Sequence, residues 1–180
     1  MMENLTESYA GFWLRAKAFA FDYLIISVYL IFVVLLFLAL NSIFPISSVL
    51  FDSRVSAQVS AFLIVTLPIT LYYAFGESSA AQATWGKQRI GLRVADSKGN
   101  RVTFWISLTR NLLKFIPWEL SHTLIWNIYF TEGSFPTYIN YTFALVYLLI
   151  GLNIAILVMT KTKQSLYDLL AGTVVVINEG

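Results

Sequence analysis

Apolar residues in this chain gather in long runs, without the alternation or one-faced spacing that soluble elements show. Ala18 to Leu40 is broken only by Asp22, Val55 to Phe75 holds no charged residue, and neither does Gly133 to Thr160, whose densest part is Tyr138 to Met159. An α-helix crosses a hydrocarbon core about 30 Å thick with roughly 20 predominantly apolar residues. Each run therefore predicts a membrane-spanning helix, with bounds near 18–40, 55–75 and 138–159. The stretch from Leu112 to Phe130 is apolar and aromatic-rich but contains Lys114, Pro117, Glu119 and His122. Hydropathy alone leaves it between a short span and an interfacial helix.

Charge distribution resolves that ambiguity, because Lys and Arg collect in cytoplasmic loops while acidic residues hardly enter the rule. Arg15 and Lys17 precede the first run. Lys87, Arg89, Arg93, Lys98, Arg101, Arg110 and Lys114 fill the interval after the second, Lys161 and Lys163 follow the last, and only Arg54 falls in a loop assigned outside. Placing the basic interval and the final Lys pair on one side requires two crossings between them, so 112–130 is expected to be a true span. The expected fold is an all-α, four-helix transmembrane bundle with both termini cytoplasmic, a cytoplasmic loop over 76–111 and one membrane domain over 9–177. The first run is too long for the apolar core of a secretory signal and lacks a convincing small-x-small cleavage site, so it is expected to remain as an anchor.

The 76–111 loop has local structure of its own. Glu77 to Arg89 is rich in Ala and Gln and predicts a short interfacial helix ending at Gly91, which tolerates left-handed cap geometry. Leu92 to Ala95 and Arg101 to Phe104 flank a turn containing Gly99 and Asn100 and predict a β-hairpin. Thr173 to Ile177 is another β-branched run, expected as a third strand because a lone hairpin is marginal in water. In the second span, Pro68 with Thr66 and Thr70 predicts a kink patched by hydroxyls.

Candidate chemistry is sparse. The chain has no cysteine, which excludes disulfides, thiolate metal sites and Cys nucleophiles. No Ser/His/Asp triad, P-loop or dinucleotide fingerprint is present, so neither an enzyme nor a cofactor is expected. The basic rim is explained by the lipid bilayer and its anionic head groups, with no nucleic-acid partner needed. Asp22 lies about one turn inside the first span, where a carboxylate needs a partner or a role. Arg15 is two turns away on the same face, and Asp168 lies on an amphipathic segment, Lys163 to Leu170, returning to the same interface. One Arg could neutralise both acids, making the trio a structural clasp. Alternatively, Asp22 binds a proton or cation, with Arg15 lowering its pKa and burial raising it. Glu119 and His122, at i and i+3, share one face of the third span and form a second polar pair; the ligands needed for a metal site are missing.

Three ordered segments carry a resemblance over about Tyr9 to Ile177. G-F-W-L-R-A-K-A-F-A-F-D, then T-W-G-K-Q-R-I-G-L-R-V-A-D-S-K-G-N-R-V-T-F followed by R-N-L-L-K, and finally K-Q-S-L-Y-D-L-L-A-G-T-V-V-V are similar to the RDD family of mostly bacterial integral membrane proteins. The family's Arg and two Asp residues match Arg15, Asp22 and Asp168. Tyr167 departs from the His that many relatives carry before the last Asp. The resemblance implies the bacterial plasma (inner) membrane and a molecular function unknown for most members, with cation/proton exchange attributed to some. Two readings follow from it: a cation/proton or small-solute transporter, in which a path through so small a bundle would require at least a homo-dimer, or a non-catalytic membrane adaptor or lipid-interacting protein with a structural clasp.

Overall fold

The structure, a computed structural model, describes residues 8–131 and 136–178. The chain is mostly helical. Helix α1 (Phe12–Ile43) starts well before the apolar run and so contains Arg15 and Lys17. After a short α2 (Ser47–Leu50), α3 (Arg54–Ala61) begins on a capping box in which the Ser53 hydroxyl accepts from the Ser56 amide. It passes through a π-helical turn (Phe62–Thr66) into α4 (Leu67–Ser78), giving one continuous rod. Pro68 explains the irregularity. It has no N–H to offer the carbonyl of Ile64 four residues back, and the Tyr29 hydroxyl of α1 donates to that carbonyl at 2.5 Å. In place of a simple kink, the break is a widened turn, although Thr70 does patch it by donating to the Thr66 carbonyl at 2.7 Å.

The helix expected over Glu77 to Arg89 is divided. Glu77 belongs to the last turn of α4, and α5 (Trp85–Arg89) begins only after a turn in which Gln82 takes φ +52°. Gly91, at φ +66°, ends that segment in the left-handed geometry expected of it. Strand β1 (Leu92–Asp96) follows, then α6 (Phe104–Phe130), α7 (Thr137–Met159), α8 (Leu166–Ala171) and strand β2 (Thr173–Ile177). The predicted hairpin is also corrected. β1 pairs antiparallel with β2, Leu92 opposite Ile177 and Asp96 opposite Thr173, while Arg101 contributes only an isolated bridge to Ala95. The second arm is lost because the Thr103 side chain caps α6 by accepting from the Ile106 amide, which commits Phe104 onward to helix.

Among the described residues three helical stretches are long and apolar enough to cross a membrane, Phe12–Ile43, Arg54–Ser78 and Thr137–Met159. At 27 residues α6 is long enough, but Arg110, Lys114 and Glu119 make it less apolar than the others. The four-span bundle expected from the sequence is thus three apolar helices plus one charged helix, which packs along both α4 and α7.

The distribution of polarity is inverted relative to a water-soluble domain. Val28 of α1 is 70% exposed and Tyr147 of α7 is 71% exposed, whereas Asp22, Glu77, Arg110, Asn111 and Asp168 are buried. Lipid selects this arrangement, because hydrocarbon solvates Val and Leu but leaves ions to find partners inside. At one end of the helices, the sheet closes over Ala10, Ala18, Val102 and the inward side chains Leu92, Val94 and Val175. Hereafter this is the sheet end.

Candidate functional site

Buried ions at the sheet end form one connected network centred on Arg110. Its guanidinium reaches Asp168 Oδ1 with Nε and Nη2, each at 2.8 Å, and both Glu77 oxygens with Nη1 at 2.8 Å. Glu77 also accepts from Lys87 Nζ at 2.6 Å, Asn111 Nδ2 at 2.8 Å and the Ser107 hydroxyl at 3.3 Å. Asp168 in turn holds Arg15 Nη1 at 2.5 Å and caps its own helix, accepting from the Ser165 amide at 3.1 Å and hydroxyl at 2.8 Å. Burial opposes ionisation of Asp168, but the guanidiniums of Arg110 and then Arg15 outweigh it and hold its pKa well below the usual carboxylate range. Arg15 completes its fork on the carbonyls of Ala10, at 2.9 Å, and Lys163, at 2.6 Å. Each acid is thereby saturated with donors, as buried charge requires.

The expected trio divides. Arg15 and Asp168 meet directly, tying the C-terminal segment to α1. Asp22 instead accepts from the Tyr72 hydroxyl and the Gly86 amide on Oδ1 and from the Thr84 hydroxyl on Oδ2, all at 2.7 Å. It therefore staples α5 to α1 and α4. Gly86 permits this contact, since a Cβ there would lie 2.1 Å from the Ala18 carbonyl oxygen and 2.7 Å from Asp22 Cγ.

Sequence reasoning missed Glu77, Lys87, Arg110 and Asn111 as partners. Arg110 and Lys87 read along the chain as loop cations serving topology, and Glu77 as the first residue of an interfacial helix. An acid terminating an otherwise uncharged apolar run was the available signal that a buried cation must meet it.

The second polar pair lies near the middle of the helices. His122 Nδ1 is 3.3 Å from Glu119 Oε1, and Glu119 also accepts from Gln58 Nε2 at 2.8 Å and from the hydroxyl of Thr66 in the π turn. The Oε1 of Gln58 is buried without a partner. Glu119 lines a cavity of about 340 Å³ between α4 and α6 that extends past Thr70 and Leu112 toward the sheet end. His122 lines a different cavity, of about 680 Å³, reaching Leu40 and Phe51 at the opposite end. Both residues are only partly buried, Glu119 with 23% and His122 with 18% of the side chain exposed. Among the described residues, no cluster of three or more His, Cys, Asp or Glu could hold a metal.

Comparison with known proteins agrees with this architecture. The chain is 30% identical over 110 residues to the uncharacterized protein YxaI of Bacillus subtilis (strain 168), an alignment covering 54% of this chain and 70% of that protein. No solved structure matches it. The model of the RDD family matches residues 9–172, a span that takes in Arg15, Asp22 and Asp168 together with Glu77 and Arg110. The chain belongs to the RDD family, whose proteins are membrane proteins.

Proposed function

We propose that this protein moves a proton or a small cation across a bacterial plasma membrane, with Glu119 and His122 as the carrying station and the charged network at the sheet end as its structural closure. The carrying observation is that the two hydrogen-bonded side chains line different cavities, one extending toward each end of the helices. A carboxylate open to one cavity and an imidazole open to the other can pass a proton between them along their hydrogen bond. Gln58 Oε1, without a partner beside Glu119, supplies a further oxygen for a cation. The π turn supports the reading, since such irregularities concentrate at functional positions.

In this reading α6 is the fourth crossing, the sheet end and both termini are cytoplasmic, and the chain is not an enzyme. The excess of Lys and Arg on the sheet side supports the orientation. In this reading Asp22 has a structural role, its three donors joining α5 to α1 and α4.

The test is flux in liposomes loaded with a pH indicator, under Na⁺ or K⁺ gradients, for wild type and Glu119→Gln. Because the native chain has no cysteine, a single Cys at Lys98 or at Ser48 reports orientation in the same preparation, with only the Ser48 position labelling from outside. Glu119→Gln is expected to fall to the level of empty liposomes while keeping its melting temperature, and Glu119→Asp to retain part of the flux. Undiminished flux in Glu119→Gln would remove the station. Absence of flux in wild type under every gradient would favour a membrane adaptor, for which the sheet is the surface available to a partner.

A further inference from the structure

The network at the sheet end leaves one cation over. Around a cavity of about 340 Å³ between α1 and α7 stand Arg15, Lys87, Arg110 and Lys114. The first three are committed to Glu77 and Asp168, and Asp22 is committed to Tyr72, Thr84 and Gly86. Among the described residues four cations thus face three carboxylates, and Lys114 is the member with no acid in contact. Its ammonium is packed among rings, Tyr73 with its centroid at 3.6 Å, Phe115 at 5.2 Å and Phe19 at 5.9 Å, while Glu77 and Asp22 act on it only by attraction at longer range.

Two further polar atoms of the same cavity wall lack partners. Tyr73 is 1% exposed and its hydroxyl is unpaired, as is the Oδ1 of Asn153. A buried hydroxyl and a buried amide oxygen each need a hydrogen bond. The cavity therefore holds one cation without an acid in contact, and a hydroxyl donor and an amide acceptor lie covered in its wall, within a side-chain rotation of an occupant; its volume is in the size range of small-molecule sites. Its rim is apolar and open, formed by Phe12 at 36%, Phe19 at 46% and Ile154 at 40% exposure.

We infer that this cavity is a binding site for the head group of a singly charged, hydroxyl-bearing phospholipid of the phosphatidylglycerol type. Its phosphate lies on Lys114 and the Tyr73 hydroxyl, a head-group hydroxyl donates to Asn153 Oδ1, and its acyl chains cover Phe12, Phe19 and Ile154. Lipid is the source that fits, because a free anion would satisfy Lys114 and leave the open apolar rim uncovered. Basic pockets between membrane helices are suited to such head groups. This site is separate from the Glu119 station and stands or falls without it.

The test compares lipid retained by the purified full-length protein, by native mass spectrometry after equilibration with equimolar phosphatidylglycerol and phosphatidylcholine, for wild type, Lys114→Gln and Tyr73→Phe. Melting temperature is measured in parallel with each lipid and with inorganic phosphate. Wild type is expected to retain phosphatidylglycerol selectively and to be stabilised by it. Lys114→Gln should lose about fivefold or more of that selectivity, and Tyr73→Phe, which keeps the ring and removes only the hydroxyl, should lose a smaller part. Equal retention of the two lipids by wild type overturns the proposal, as does undiminished selectivity in both variants. Stabilisation by inorganic phosphate equal to that by the lipid would make the site one for a free anion and overturn the lipid assignment. Should Lys114→Gln not run as a single species, Tyr73→Phe decides by the same criterion.

Discussion

Replacing Arg110 with Met is expected to lower stability by about 3–5 kcal/mol, the range for breaking a buried ion pair by removing one member. Glu77 and Asp168 are fully buried, and each would keep only one charged partner, Lys87 or Arg15 respectively. The triple variant Arg110→Met, Glu77→Gln, Asp168→Asn should recover much of the loss, because no uncompensated acid remains inside. Lys87 and Arg15, with 8% and 11% of their side chains exposed, stand at the edge of the cluster and can turn toward water. Intrinsic tryptophan fluorescence during heating in detergent checks both variants. A single mutant melting with wild type, or a triple mutant worse than the single, would contradict the saturated-network account. The same network sets an acid limit. Asp168 has a folded pKa below its unfolded value of 3.8, so its contribution is fully present above that value and is lost as pH falls through the folded pKa. Its share of wild-type stability should therefore hold between about pH 5 and 8 and decline only under stronger acid.

Gly86→Ala is expected to be the most damaging single-methyl change, at about 3 kcal/mol, the upper part of the overpacking range. The added carbon meets the carbonyl oxygen and backbone of α1, not the tip of a flexible side chain, so relief requires α5 to move off α1. That movement also pulls the Gly86 amide from Asp22 and loosens the hold on Thr84 and Tyr72. Hydrogen exchange should rise selectively from Ser79 to Gly91 in this variant while the centres of α1 and α7 stay protected. Wild-type exchange across that segment would show that the close approach of α5 to α1 is not obligatory.

The long helices were legible along the chain because hydrocarbon demands runs of apolar residues, a signal that needs no knowledge of neighbours. Leu112 to Phe130 was harder because its composition is mixed, and charge distribution supplied the argument for a crossing. Strand β2 was visible in Thr173–Ile177 through its β-branched residues, but its partner was not. Arg101 to Phe104 has the same local propensity as a strand, but it keeps only the Arg101 bridge before the Thr103 cap starts α6 at Phe104. The π turn could not be anticipated from Pro68 alone, since a kink and a widened turn both answer a missing N–H.

The sequence by itself determined that this is a membrane protein of the RDD family, where its apolar helices run, and that Arg15, Asp22, Asp168, Glu119 and His122 were polar groups needing an explanation. A charge in an apolar run is conspicuous wherever it points. Tertiary structure alone decided who answers each charge, because ion pairs between residues such as Glu77 and Arg110 or Arg15 and Asp168 depend on helices meeting in space, and spacing along one helix cannot reveal them. It separated Asp22 from the clasp and gave it to α5, through a glycine whose role is invisible until a carbonyl is seen pressed against it. It also left Lys114 without an acid in contact among the described residues, a fact that no spacing along one helix can establish.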